Sequence, residues 1–391
     1  MTNKYLRVLC IYVSCIVVFT GLTGCNTVTS RPRITTSTPA TTTVTDISTT
    51  PSTSTTTSIT TFSTPATTTT ILSTTTTLTS LFPGGLVTGD TPKGMYLSSI
   101  TIGPDGNLWF TRANANQIGK LYPESGNSTV YNIPTAQAGP NGITAGPDGN
   151  LWFTETQVNK LGKISPTTGK ITEYNIPSDG LWADGITTGS DGNLWFTEAG
   201  GRIGVISPVT GNVTEYRIPG NGGFPTAIVA GPDGNLWFTE TMGNKIGKIS
   251  PVTGNITEYN LPNPSADPCG ITIGSDGNLW FTETGAKSIG KISPETGSIT
   301  EYIVPNSFGS FGIASGPDSN LWFTESPLNK IGEISPNTGI ITEYNIPSAA
   351  YGLYGITAGP DGNVWFIEIF GSKVGQISLK TNVIDEYTIY K

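Results

Sequence analysis

Short apolar-rich runs, broken by Gly, Pro, Asn and Asp, recur through residues 97–391, and none of them keeps a helical period. The unit from Gly142 to Pro177 reads GITAG, the turn PDGN, LWFTE, then KLGKIS, the turn PTTG and KITEYNIP. Its strand positions are β-branched or aromatic, as a pleated surface covered on both sides prefers. Asp-Gly and Thr-Gly supply the positive φ that tight hairpin turns demand. Each unit is therefore predicted to be four antiparallel strands.

The stretch GPDGNLWFTE (Gly146–Glu155) recurs with small changes until it has been written seven times. Its tryptophans, Trp109, Trp152, Trp195, Trp237, Trp280, Trp322 and Trp365, fall 42 or 43 residues apart. That period predicts a propeller-type array. The fold class is thus all-β, a seven-bladed β-propeller over residues 82–391. The seventh unit carries its own outer strand, VIDEYTIY, so the ring needs no borrowed strand to close. The seven tryptophans are expected to be architectural, packing between blades. LFPGGLVTG, before the first unit, is a candidate extra edge strand.

Composition adds a front end to this picture. Lys4 and Arg7 precede an apolar run, Val8 to Thr20, that ends in Leu22-Thr23-Gly24-Cys25. Residues 1–24 read as an export signal. The tetrad resembles the lipobox of prokaryotic lipoproteins, which implies lipidation at Cys25 and a chain held at the cell envelope by a membrane anchor. Residues 25–81 form a linker; 27 of the 55 residues from 26 to 80 are Thr. Such a segment has too little apolar surface to offset the entropy of ordering, so a disordered tether is expected.

Charge and reactive side chains narrow the function. A formal net charge of −8 excludes nucleic acid as a partner, since phosphate binding needs clustered Lys and Arg. Cys10 and Cys15 lie in the signal and Cys25 is the lipidation candidate, which leaves Cys269 with no intrachain disulfide partner. The chain contains no histidine.

Hairpin order locates the chemistry. The residue before each Gly-Ile step and the Glu that ends LWFTE fall at the same mouth of the ring. The first set is Ser98, Asn141, Asp184, Thr226, Cys269, Phe311 and Tyr354, a position that varies while its surroundings repeat. This is how an array builds an asymmetric pocket on a symmetric frame. The second set is Arg112, Glu155, Glu198, Glu240, Glu283, Glu325 and Glu368. Six carboxylates at one rim would suit a cation, but Lys160, Lys245 and Lys330 follow five positions after Glu155, Glu240 and Glu325. Cross-hairpin ion pairs are expected to occupy most of these acids.

GITAGPDGNLWFTE, followed by KIGKISPxTGxITEY, closely resembles the repeat of the virginiamycin B lyase (streptogramin lyase) family, across essentially all of residues 97–391. The resemblance implies a seven-bladed propeller and a Mg²⁺-assisted elimination that opens the ester bond of type B streptogramins. It also implies a histidine base in the position before Gly-Ile, with acidic metal ligands two residues earlier and at the motif-end Glu. No unit of this chain has that histidine. The fifth unit, ADPCGITIGSDGNLWFTE, keeps Asp267 and Glu283 in the acid positions and puts Cys269 in the base's place. Asp184 with Glu198 is a weaker second pair.

Two readings follow. One is a non-catalytic recognition module, acting as a monomer with no cofactor. It would bind an extracellular small molecule, peptide or glycan at a mouth lined by Asn141, Trp182, Asp184, Thr226, Phe311 and Tyr354, with Glu198 and Glu368. The other is a lyase without histidine, using Mg²⁺ held by Asp267 and Glu283, with Cys269 as the candidate base.

Overall fold

A computed structural model describes residues 54–64, 67–77, 96–178, 182–220, 222–305, 307, 309–326, 328–348, 352–369 and 371–389. The signal, Cys25 and the LFPGGLVTG stretch lie outside the described residues. Within the Thr-rich linker, Ser54–Thr64 pairs antiparallel with Thr67–Thr77, where no regular element was expected. β-branching favours extended backbone. A lone two-stranded ribbon is marginal in water and makes no core of its own.

Lys93–Lys391 forms a compact unit of seven four-stranded antiparallel sheets. Each blade is continuous in the chain. Blade 2, for example, runs through Pro140–Ala145, Leu151–Glu155, Lys160–Ile164 and Ile171–Asn175. The seventh keeps its own outer strand, Ile384–Thr388, as expected. The first strand of every blade contacts the first strand of the next, and Leu353–Ala358 closes onto Leu97–Ile102.

The core lies between blades. Trp109 and Ile118 of blade 1 pack with Ile143, Leu151 and Phe153 of blade 2, and the pattern repeats around the ring. All seven repeat tryptophans are buried, each donating its Nε1–H to the Asp of its own PDGN-type turn, as Trp152 does to Asp148 at 3.1 Å. Within each blade a glycine lets the aromatic of the second strand lie across the third. A Cβ on Gly162 would stand 2.1 Å from Phe153 Cζ.

A bulge interrupts the first strand of each blade. Pro140 pairs with Glu155 and Ile143 with Phe153, so Asn141 and Gly142 together face Thr154. The Thr154 hydroxyl fills the gap, accepting from Gly142 N–H at 2.9 Å and donating to the Asp184 carbonyl of the next blade at 2.8 Å. Blades 1 to 6 all make this hydroxyl contact to the following blade. Blade 7 has Ile367 there instead, buried among Leu97, Ile100 and Phe110 of blade 1.

Candidate channel site

The bulge decides where the variable residues point. A bulge inserts one residue and re-aims the side chains beside it. Ser98, Asn141, Asp184, Thr226, Cys269, Phe311 and Tyr354 all line one central cavity of about 190 Å³. The glycine after most of them is required by close approach, since a Cβ on Gly142 would come 2.4 Å from the carbonyl oxygen of Asp184.

Taken in blade order, the wall has two halves. Blades 1 to 4 contribute Ser, Asn, Asp and Thr; blades 5 to 7 contribute Cys, Phe and Tyr. On the polar side Asn141 Nδ2 donates a short hydrogen bond to Asp184 Oδ1, and Thr226 Oγ1 lies 2.8 Å from Thr239 Oγ1. Burial pushes the Asp184 carboxyl up to about 7. No Lys, Arg or His is among the lining residues. Across the channel, the rings of Phe311 and Tyr354 stand 5.8 Å apart.

Two residues before this position lies a second layer. Gly139, Gly309 and Gly352 have positive φ there, and so do Trp182 (71°), Phe224 (56°) and Asp267 (47°). Bulky residues seldom adopt that region, where glycine is at home. Trp182 meets Phe224 edge to face at 6.5 Å. Phe224 escaped the sequence reading; its signal was a large side chain at a position that other blades give to glycine.

The motif-end acids are placed differently from expectation. Glu155, Glu198, Glu240, Glu283, Glu325 and Glu368 are all buried, and none lines the cavity. The expected ion pairs with the following lysines do not form. Lys160, Lys245 and Lys330 instead reach Glu173, Glu258 and Glu343 on the outer strand, at 3.7, 2.9 and 3.2 Å. A lysine stem lets the ammonium leave the interior, and the outer carboxylate keeps part of its hydration. The inner acids therefore face those same outer glutamates. Burial, and then the facing carboxyl, raises Glu155 and Glu325 to about 8. Glu198 and Glu368 rise to about 7 and accept from Ser178 and Ser348 at 2.9 and 2.8 Å. In blade 1 Arg112 takes the position and donates to Gln117 at 2.7 Å.

In the fifth blade Cys269 lines the channel and is buried. Glu283 is fully buried, and its Oε2 accepts from Ser288 Oγ at 2.6 Å. The Asp267 carboxyl lies against Gly285, whose Cβ would stand 2.8 Å from Oδ2. Mg²⁺ demands near-octahedral oxygen ligands. Among the described residues no group of three or more His, Cys, Asp or Glu side chains converges as a metal site.

Comparison with solved structures places this geometry among relatives. Virginiamycin B lyase from Staphylococcus aureus, in selenomethionine form, is 38% identical with a TM-score of 0.68, covering 73% of this chain and 96% of that one. A catalytically inactive histidine-to-alanine variant of that enzyme, solved with quinupristin, matches equally well, at 38% identity, TM-score 0.68 and the same 73% and 96% coverage. Hydrazine synthase from Kuenenia stuttgartiensis shares the fold alone, at 13% identity and a TM-score of 0.61 over 79% of this chain and 99% of that one. No curated protein matches. The family model described as the Virginiamycin B lyase family matches residues 86–310 and 185–391, which overlap and together run through every blade. The chain belongs to the virginiamycin B lyase family.

Proposed function

We propose that this protein is an envelope-tethered recognition module: an exported propeller, lipid-anchored at Cys25, that binds a small molecule, peptide or glycan at its channel without opening it. The observation that carries this reading is the channel wall. Seven different residues converge there, none of them an imidazole, on a chain that has no histidine at all. Proton abstraction beside a carbonyl calls for a positioned base near neutral pKa, and His is the usual supplier. The relative whose histidine is replaced by alanine is catalytically inactive and was solved with quinupristin. That supports separating occupancy of this fold from catalysis by it.

A second reading is a lyase without histidine. It is favoured by the 38% identity to a lyase and by Asp184, whose carboxyl, at about 7, lies in a base's working range. The test is incubation of the protein with a type B streptogramin, with Mg²⁺ and then with EDTA, followed by mass spectrometry. The antibiotic is expected to stay intact. Mg²⁺-dependent ring opening, lost in Asp267→Ala, Glu283→Ala or Asp184→Asn, overturns the recognition reading and identifies the acid at work.

A further inference from the structure

We infer that the channel is a subsite for an organic cation, an aromatic ring carrying a protonated amine, with Asp184 as its counter-charge. This rests on the recognition reading and names the chemistry of what is recognised.

Three independent features converge on that ligand. The first is charge: among the described residues Asp184 is the one carboxyl that lines the cavity, and no basic side chain lines it. A carboxylate that is half-buried, as Asp184 is, has lost part of its hydration, and an accompanying cation offsets that loss. A bound ammonium would supply that cation and donate to the oxygen that Asn141 leaves free, since Asn141 engages Oδ1 alone.

The second feature is the distribution of aromatic surface. Phe311 and Tyr354 face the polar half from blades 6 and 7. Trp182 and Phe224 precede the two polar wall residues Asp184 and Thr226 by two positions each, in the layer beside the cavity lining and in a backbone region where blades 2, 6 and 7 use glycine. Aromatic faces attract cations, and they stack on the ring that carries one.

The third feature is size. A protein cavity of about 150 Å³ holds a benzene ring. At about 190 Å³, this one has room for a ring and a short arm. An amine with one ring fits within it, whereas a macrocycle would have to rest across its mouth. A simple anion is disfavoured by Asp184, and a purely apolar ligand leaves that carboxyl without a partner.

The experiment is calorimetric titration of the full chain with three probes: tryptamine, its neutral counterpart tryptophol, and butylamine, which keeps the charge and lacks the ring. Tryptamine is expected to bind one to one, with tryptophol and butylamine each at least tenfold weaker. Asp184→Asn, nearly identical in shape, is expected to lower tryptamine affinity at least tenfold and to leave tryptophol unchanged. Phe311→Leu should weaken both indoles. The comparison of probes on the unaltered chain decides the matter even where a variant folds poorly. Equal binding of tryptamine and tryptophol, or indifference to Asp184→Asn, overturns the cation assignment and leaves recognition at the channel standing. Failure of all three probes to bind at millimolar concentration also overturns it, and the recognition reading is then judged by the streptogramin experiment alone.

Discussion

A single hydroxyl per blade carries much of the join between neighbours. Thr154 Oγ1 takes the N–H released by the bulge at Gly142 and gives its own proton to the Asp184 carbonyl, so it sets both the local kink and the spacing to blade 3. Thr154→Val keeps the shape and removes both bonds. A buried polar group left unpaired costs about 1–3 kcal/mol, so stability is expected to fall by at least that much in urea denaturation, with the fold retained. A loss below about 0.5 kcal/mol, the range of ordinary surface changes, would mean the hydroxyl is not the join. The sequence showed Thr154 only as one letter of a repeat. Its role needed the register, because two residues facing one on the partner strand cannot be read from spacing.

Between strands, the blade is organised around a deleted side chain. Phe153 lies across the third strand because Gly162 offers no Cβ to stop it. Gly162→Ala drives a methyl into the ring, and overpacking of this kind costs about 1–3 kcal/mol. The thermal midpoint should fall, and the double variant Gly162→Ala with Phe153→Leu should be less destabilised than the two single changes summed. Strict additivity would show that the two residues are not in contact in the folded protein. At this scale the sequence was most informative: period, turn residues and strand types gave seven blades, four strands and a self-contained last blade. It misled on charge pairing. Glu155 and Lys160 do face each other in register, yet Lys160 turns outward to Glu173. Spacing shows adjacency, whereas solvation decides which partner an ammonium takes.

Across the whole molecule the buried acids act together. Six motif-end glutamates sit well above their ordinary value of 4.5, at about 7 or 8, because burial disfavours their charged form. Such a group binds its proton more tightly folded than unfolded. Its contribution is therefore full below pH 4.5 and is lost as pH rises toward 7 or 8, at up to about 1.4 kcal/mol per group and pH unit. The thermal midpoint is expected to be higher at pH 5 than at pH 8, and replacing Glu155 and Glu325 with Gln should flatten the difference. A midpoint that rises between those two values would contradict the assignment. The converging channel residues were legible from hairpin order alone. The acid pairs were not, because each joins strands whose residues lie 17 or 18 positions apart, as Glu198 and Glu215 or Glu155 and Glu173 do, and no local pattern marks them.

The join between the last blade and the first differs from the other six in its chemistry, and that bears on how the molecule is made. Blade 1 is synthesised first, yet Leu97, Ile100, Leu108 and Phe110 are covered only when Trp365, Ile367, Val374 and Ile389 arrive. Until then the nascent arc carries an oily flank with no neighbour, through the synthesis of nearly the whole ring. Greasy contacts are non-directional, so this flank accepts the final blade of another molecule on the same terms as its own. Crowded synthesis thus sets a race between self-closure and exchange of last blades, and the yield of closed rings depends on how dilute the emerging chains are kept.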